Sequence, residues 1–153
     1  MPAVFPTALN LKELNLESNS INDEGLQELA VGMLNRCTVE RLNLLSNAIS
    51  KEGLQALAAV KISSSRWLRL ADNAINDEAL QALVEGMGME NLCNIETLDL
   101  SRNGMISTSG LAVLSAIFNS KSCSLKEIEL YMMNIGDGGA KILADGLTSL
   151  RYF

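Results

Sequence analysis

Two stretches of the chain repeat the same order of apolar and polar positions: LNLESNSINDEGLQEL at residues 14–29 and LNLLSNAISKEGLQAL at residues 42–57. In each, leucines first alternate with polar residues, an Asn follows, and the apolar spacing then lengthens to three and four. Alternation with a period of two is the mark of a strand with one buried face, and spacing of three and four marks an amphipathic helix. Aligned on the Asn, the phrase L-x-x-L-x-L-x-x-N-x-I plus a helical segment begins at Leu11, Val39, Ser65, Ile95 and Leu125, with spacings of 28, 26, 30 and 30 residues. A partial sixth start, LRYF, begins at Leu150. Each copy has an apolar strand face and an apolar helix face, which it can cover only against another copy, so the pattern predicts a stacked solenoid.

The inward strand positions are Leu14 and Leu16, Leu42 and Leu44, Leu68 and Leu70, Leu98 and Leu100, and Ile128 and Leu130. Asn19, Asn47, Asn73 and Asn103 come three residues after each of the first four pairs. An amide both donates and accepts, so a column of Asn can satisfy backbone groups where the strands turn away. The fifth copy has Met133 in that place, with Asn134 beside it, and a distorted corner is expected there. Ile21, Ile49, Ile75, Met105 and Ile135 are expected to fill the turns, and Asn22, Ser50 and Asn76 to cap the helices. The predicted helix cores are Leu26, Leu29 and Met33; Leu80, Leu83 and Met87; Leu111, Leu114 and Phe118; and Ala140, Leu143 and Leu147. Lys61 and the serines at 63–65 interrupt the second copy, which predicts a short second helix, and GMISTSG adds a residue before the fourth helix.

The segment LKELNLESNSINDEGLQELAVGM resembles the leucine-rich repeats of the ribonuclease-inhibitor type, a class shared with Ran GTPase-activating protein, NOD-like receptors and the carboxy-terminal domain of tropomodulin. The resemblance covers residues 11–153. It implies an α/β fold: a right-handed horseshoe segment with a parallel sheet on the concave face and helices on the convex face. The whole chain, 1–153, is expected to form one such domain.

Composition narrows the functional classes. The chain has 153 residues, with 12 Lys and Arg against 18 Asp and Glu, a formal charge of -6. That balance disfavours nucleic acid and anionic lipid as partners. No apolar run is long enough to suggest a membrane span, and the first residues do not read as a signal peptide. Cys37, Cys93 and Cys123 each lie two residues before a copy's first apolar position. Three cysteines without a secretion signal fit reduced thiols in a cytoplasmic protein, packed as small corner residues. With no histidine in the chain, neither a zinc set nor a catalytic base of the usual kind is at hand, and no cofactor is expected. The Ser63–Ser65 run reads as loop and GDGG at 136–139 as a helix start, because the latter lacks the Lys and Ser/Thr of a phosphate loop.

The outward strand positions form three columns on the open sheet: Glu13, Arg41, Trp67, Thr97, Glu127 and Tyr152; Asn15, Asn43, Arg69, Asp99 and Glu129; and Glu17, Leu45, Ala71, Ser101 and Tyr131. The only Trp thus falls beside two arginines, and Trp, Tyr and Arg are the side chains that dominate protein interfaces. Arg41, Asn43, Trp67, Arg69, Asp99, Glu127, Glu129 and Tyr131 are the candidate partner-binding residues. A purely structural alternative has Trp67 folding over the Ser65 corner to fill a gap. The leading expectation is a noncatalytic module that binds another protein on the concave face. A GTPase regulator of the Ran GTPase-activating type and an actin-binding module of the tropomodulin type are the alternatives. Exposed ends of the solenoid predict self-association.

Overall fold

The computed structural model describes residues 10–33, 39–59, 65–92, 94–120 and 123–148. Strands and helices alternate without exception: β1 (Glu13–Asn15), α1 (Asp23–Met33), β2 (Arg41–Asn43), α2 (Lys51–Ala59), β3 (Trp67–Arg69), α3 (Asp77–Leu92), β4 (Thr97–Asp99), α4 (Thr108–Phe118), β5 (Glu127–Glu129) and α5 (Gly136–Thr148). The strands form one parallel sheet in the order β1-β2-β3-β4-β5. Leu14, Leu42, Leu68, Leu98 and Ile128 stand opposite one another in register. Parallel neighbours need a crossover, and here every crossover is a helix.

The core lies between sheet and helices. Leu42, Leu44, Leu68, Leu70 and Leu100 have no exposed surface, and Leu54, Leu57 and Leu80 meet them from the helices. Each such leucine contributes about 1.5–3 kcal/mol relative to an exposed one. Burial fades toward both ends of the stack: Leu14, Leu16, Ile128 and Leu130 are half-buried, and Leu147 is 55% exposed. The expectation that Ala140 and Leu147 form a buried helix stripe therefore fails. In α5 it is Gly139 and Gly146 that are buried, against α4, and among the described residues no later repeat covers the other side.

The Asn column holds the strand ends. The Asn47 Nδ2 donates to the carbonyls of Leu16, Leu44 and Leu45, and its Oδ1 accepts from the Ile21 N–H at 2.8 Å. Asn73 and Asn103 do the same one and two repeats later, each bonding to its own turn and to the turn before it. The expected distortion at Met133 takes another form. Met132 has the same left-handed backbone (φ 56°) as Ser18, Ser46, Asp72 and Arg102 in the other corners, Asn134 is left-handed as well (φ 54°), as Ser20 is in the first repeat, and Met133 is buried in the amide's place. The change falls on the preceding turn, where the extra residue lets the Ile106 N–H donate to the Asn103 carbonyl at 3.1 Å. That register shift also corrects the expectation for Met105, which is 65% exposed; Ile106 fills the turn at 5%.

Two kinds of helix start alternate along the stack. In repeats 1 and 3 the Asn caps its own helix: Asn22 Oδ1 accepts from the Gly25 N–H at 3.0 Å, and Asn76 Oδ1 from the Ala79 N–H at 2.9 Å. Repeats 2 and 4 begin with Ser50 and Ser107, and their principal cap is an aspartate of the preceding repeat. Asp23 Oδ1 accepts from the N–H groups of Ser50 (2.7 Å) and Gly53 (3.0 Å), while the Ser50 hydroxyl donates to Oδ2. Asp77 serves Ser107 and Gly110 in the same way. Ser50 therefore does not cap α2 as expected; Asp23 does, joining two repeats through one carboxylate. Among the described residues α2 is the shortest helix, at nine residues, and α3 breaks at Gly88, whose φ is 69°. Lys61, Ser63, Ser64, Cys37, Cys93 and the LRYF segment lie outside the described residues, while Cys123 is half-buried.

Candidate protein-binding face

The columns read from the sequence are the columns of the sheet. Glu13, Arg41, Trp67, Thr97 and Glu127 are register partners, as are Asn15, Asn43, Arg69, Asp99 and Glu129. The third column continues the ladder beyond the strands: the Ser18, Ser46, Asp72 and Arg102 N–H groups donate to the carbonyls of Leu45, Ala71, Ser101 and Tyr131. Tyr152 lies outside the described residues.

At the centre of the face, the Arg41 guanidinium lies 4.8 Å from the centroid of the Trp67 ring and that of Arg69 lies 5.7 Å from it. Both distances are within range of attraction between a cation and the ring quadrupole. The Ser65 corner is closed by its own hydroxyl, which donates to the Val39 carbonyl at 2.8 Å, and Ser65 has no exposed surface. The indole stands among the guanidinium groups of the sheet face. It is half-buried there, so it offers a partner a ring already held in place.

The charges around this stack are arranged, not scattered. Arg69 Nε donates to Asp99 Oδ2 at 2.8 Å, and Asp99 Oδ1 accepts from the Ser101 N–H. The bond from Arg69 to Asp99, reinforced by the charges of Asp99, Glu129 and Glu17, raises the Arg69 pKa above its ordinary value. Glu13 lies 3.6 Å from Arg41, and Asn43 donates to Glu17 at 3.0 Å. Asn43 and Asp99 are only 6% and 1% exposed. Of the eight candidates, these two hold their neighbours in position and present little surface of their own. Arg41, Trp67 and Arg69 come together. Glu127, Glu129 and Tyr131 lie on β5 and its exit, where Tyr131 is 48% exposed and neither glutamate has an ion-pair partner among the described residues.

One arrangement was not read from the sequence. Asn15, Asn43 and Asp99 each accept a hydrogen bond from the N–H two residues on, in Glu17, Leu45 and Ser101. This local turn fixes the strand exit. The signal was the recurrence of Asn or Asp in the middle column. A polar rim accompanies it: Ser46 donates to Asp72 at 2.7 Å, and Arg102 lies 3.7 Å from Asp72.

A parallel sheet walked one strand per repeat, with an Asn column at its edge and a helix behind each strand, defines a leucine-rich repeat protein. The model of the Leucine Rich repeat family matches residues 8–30, 35–58, 66–84 and 91–115, and the chain belongs to that family. Its sequence is similar to ribonuclease inhibitor of Sus scrofa, 29% identical over 97% of this chain and 33% of that protein. It is also similar to NACHT, LRR and PYD domains-containing protein 3 of Rattus norvegicus, 31% identical over 95% of this chain and 14% of that protein. The chain thus spans about a third or less of the length of these relatives. Among solved structures, Leiomodin-1 Actin-Binding Site 2 shares the fold, with a TM-score of 0.65 at 13% identity, over 92% of this chain and 83% of that one. The repeats are of the ribonuclease-inhibitor-like kind, with a full helix in each crossover.

Proposed function

We propose that this chain is a noncatalytic protein-binding module, acting in the cytoplasm, whose partner seats on the concave sheet face. The observation that carries the reading is the Arg41–Trp67–Arg69 stack, a large aromatic surface flanked by two cations on an open sheet. Such a group matches the composition of interface hot spots. Arg41, Trp67 and Arg69 form the centre of the contact, Glu127, Glu129 and Tyr131 its acidic and aromatic flank, and Asn43 and Asp99 position them.

The test is Trp67→Ala combined with Arg69→Ala, followed by capture of partners from lysate and by a check of folding through circular dichroism. Loss of specific partners with the fold intact supports the reading; retention of every partner by the folded variant rejects it. Actin is the second candidate partner, favoured by the fold likeness to an actin-binding segment over nearly the whole chain. Co-sedimentation with filamentous actin decides it.

A further inference from the structure

The helix layer holds an unequal share of the acidic charge. Lys51 and Lys141 are the only basic residues in the five described helices, whereas every helix but α4 has an acid in its first turn and further acids follow in α1, α3 and α5. Carboxylates in a first turn suit the positive end of the helix dipole. Glu85 has no such reason: it stands late in α3, just before the break at Gly88, toward the negative end. The surface around it is hollowed. A cavity of about 650 Å³ opens on the helix face, walled by Lys51 and Gln55 of α2 and by Val113 of α4, with Ala82 and Gly86 of α3 between them. Its floor is low because α3 lies close on α2: a Cβ at Gly86 would stand 2.6 Å from the Ala58 Cβ.

Glu78 and Glu85 line the same cavity, and both are exposed. Seven residues separate them, which puts them on one face of α3 about 10.5 Å apart along its axis. The bond from Lys51 to Glu78 (3.0 Å), with the charges of Glu78, Glu52 and Glu85, raises the Lys51 pKa. One lysine thus stands among three carboxylates, and the hollow keeps an excess of negative charge. Among the described residues Glu85 accepts from a neutral donor, Gln81 Nε2 at 2.7 Å. A complementary surface brings two cations with the same spacing of about 10.5 Å. In a helix, residues seven apart share one face at that distance. An extended strand covers it in about three residues, and residues three apart point to opposite sides. The small side chains on the floor also let a second helix approach to an axis separation of about 8–10 Å.

We propose that this hollow on the helix face docks a basic helix of another protein, laid along α3 with Lys or Arg residues seven apart on Glu78 and Glu85 and a small or apolar residue over Ala82. The site lies on the opposite layer from the Arg41–Trp67–Arg69 stack and does not rest on the reading of the sheet face.

The experiment titrates the full chain with a synthetic alanine-based helical peptide carrying a pair of lysines spaced by seven, and follows amide chemical shifts by NMR. A second peptide of the same composition has the lysines spaced by about nine, which sets them on opposite faces. The first peptide is expected to shift amides of α3 and of the facing residues of α2 and α4, and to bind about fivefold more tightly than the second, the effect of one exposed ion pair. Glu78→Gln with Glu85→Gln should lower its affinity about tenfold. Glu24→Gln with Glu28→Gln, which removes the same charge from α1, should change it by less than about twofold. Glu78→Lys with Glu85→Lys should instead bind the peptide made with glutamates at the spacing of seven, and its amide spectrum without peptide reports that the fold is kept. Equal affinity for the two lysine peptides, an equal loss in the α1 variant, shifts centred on Trp67 and the sheet face, or no shift up to about 1 mM peptide would each overturn the proposal.

Discussion

Replacing Asn103 by Ala tests the physical basis of the stack directly. Asn103 is 1% exposed. Its Nδ2 donates to the carbonyls of Leu70, Leu100 and Ser101, and its Oδ1 accepts from the N–H groups of Asn73 and Ile75. In the Ala variant, Leu70 keeps the donor Asn73 and Ser101 keeps the Asp72 N–H. The Leu100 carbonyl and the Ile75 N–H lose theirs in surroundings that water does not reach, since Leu100 and Ile75 have no exposed surface. Each buried backbone group left unpaired costs about 1–3 kcal/mol, so the pair is expected to cost about 4 kcal/mol. Against a total stability of about 5–15 kcal/mol for a domain of ordinary size, that is a large fraction. Urea unfolding monitored by circular dichroism measures it, with the denaturant slope unchanged as the sign that only stability moved. The control is Asn19→Ala. Asn19 holds the same place in the first repeat but is exposed, and among the described residues its Nδ2 reaches only the Glu17 carbonyl, so a change within about 0.5 kcal/mol is expected. A cost below about 1 kcal/mol for Asn103→Ala, or equal costs at the two positions, would refute the claim that the amide column bonds the repeats together.

Further outcomes follow from the same geometry. Asp77→Ala should destabilise the chain by about 1–2 kcal/mol through loss of the α4 cap, and Asp77→Asn by less; thermal unfolding reports both. Gly86→Val drives a side chain into Ala58 and should cost at least about 1–3 kcal/mol, whereas Gly32→Ala, with open space around it among the described residues, should be neutral or stabilising by urea midpoint. The hydrogen bond from Lys126 holds Glu96 below the usual carboxylate range, with the charges of Lys126 and Arg66 adding to it. A pKa depressed on folding gives stability that is complete above the unfolded-chain value and is lost as pH falls through the folded one. Urea midpoints measured from about pH 6 down to about pH 3 should therefore fall less steeply in Glu96→Gln. Asp99→Asn should loosen Arg69 and weaken partner capture without removing any exposed surface, which separates its positioning role from direct contact.

The repeat, the parallel sheet and the membership of each outward column were legible in the sequence because period and register are local properties. Strand alternation fixes which side chains face out, and a near-constant repeat length fixes which of them align. That reasoning placed Trp67 beside Arg41 and Arg69 and put Asp99 next to Arg69 in the middle column. What it could not place was every feature that depends on one repeat meeting the next. Asp23 reads as an acidic residue in the first turn of its own helix, yet its carboxylate bonds to the start of α2. Met105 occupies the turn position by count, but the longer loop exposes it and buries Ile106. Asn43 and Asp99 count as outward residues, and both are buried by the neighbours they hold. Ala140 and Leu147 have the spacing of a core stripe and stand exposed, because burial requires a second surface and spacing supplies only the first. The sequence by itself determined the unit and its repetition, since those follow from backbone periodicity. Only the tertiary structure decided the junctions, since a cap or a close glycine contact across repeats is a distance in space between residues about 30 positions apart.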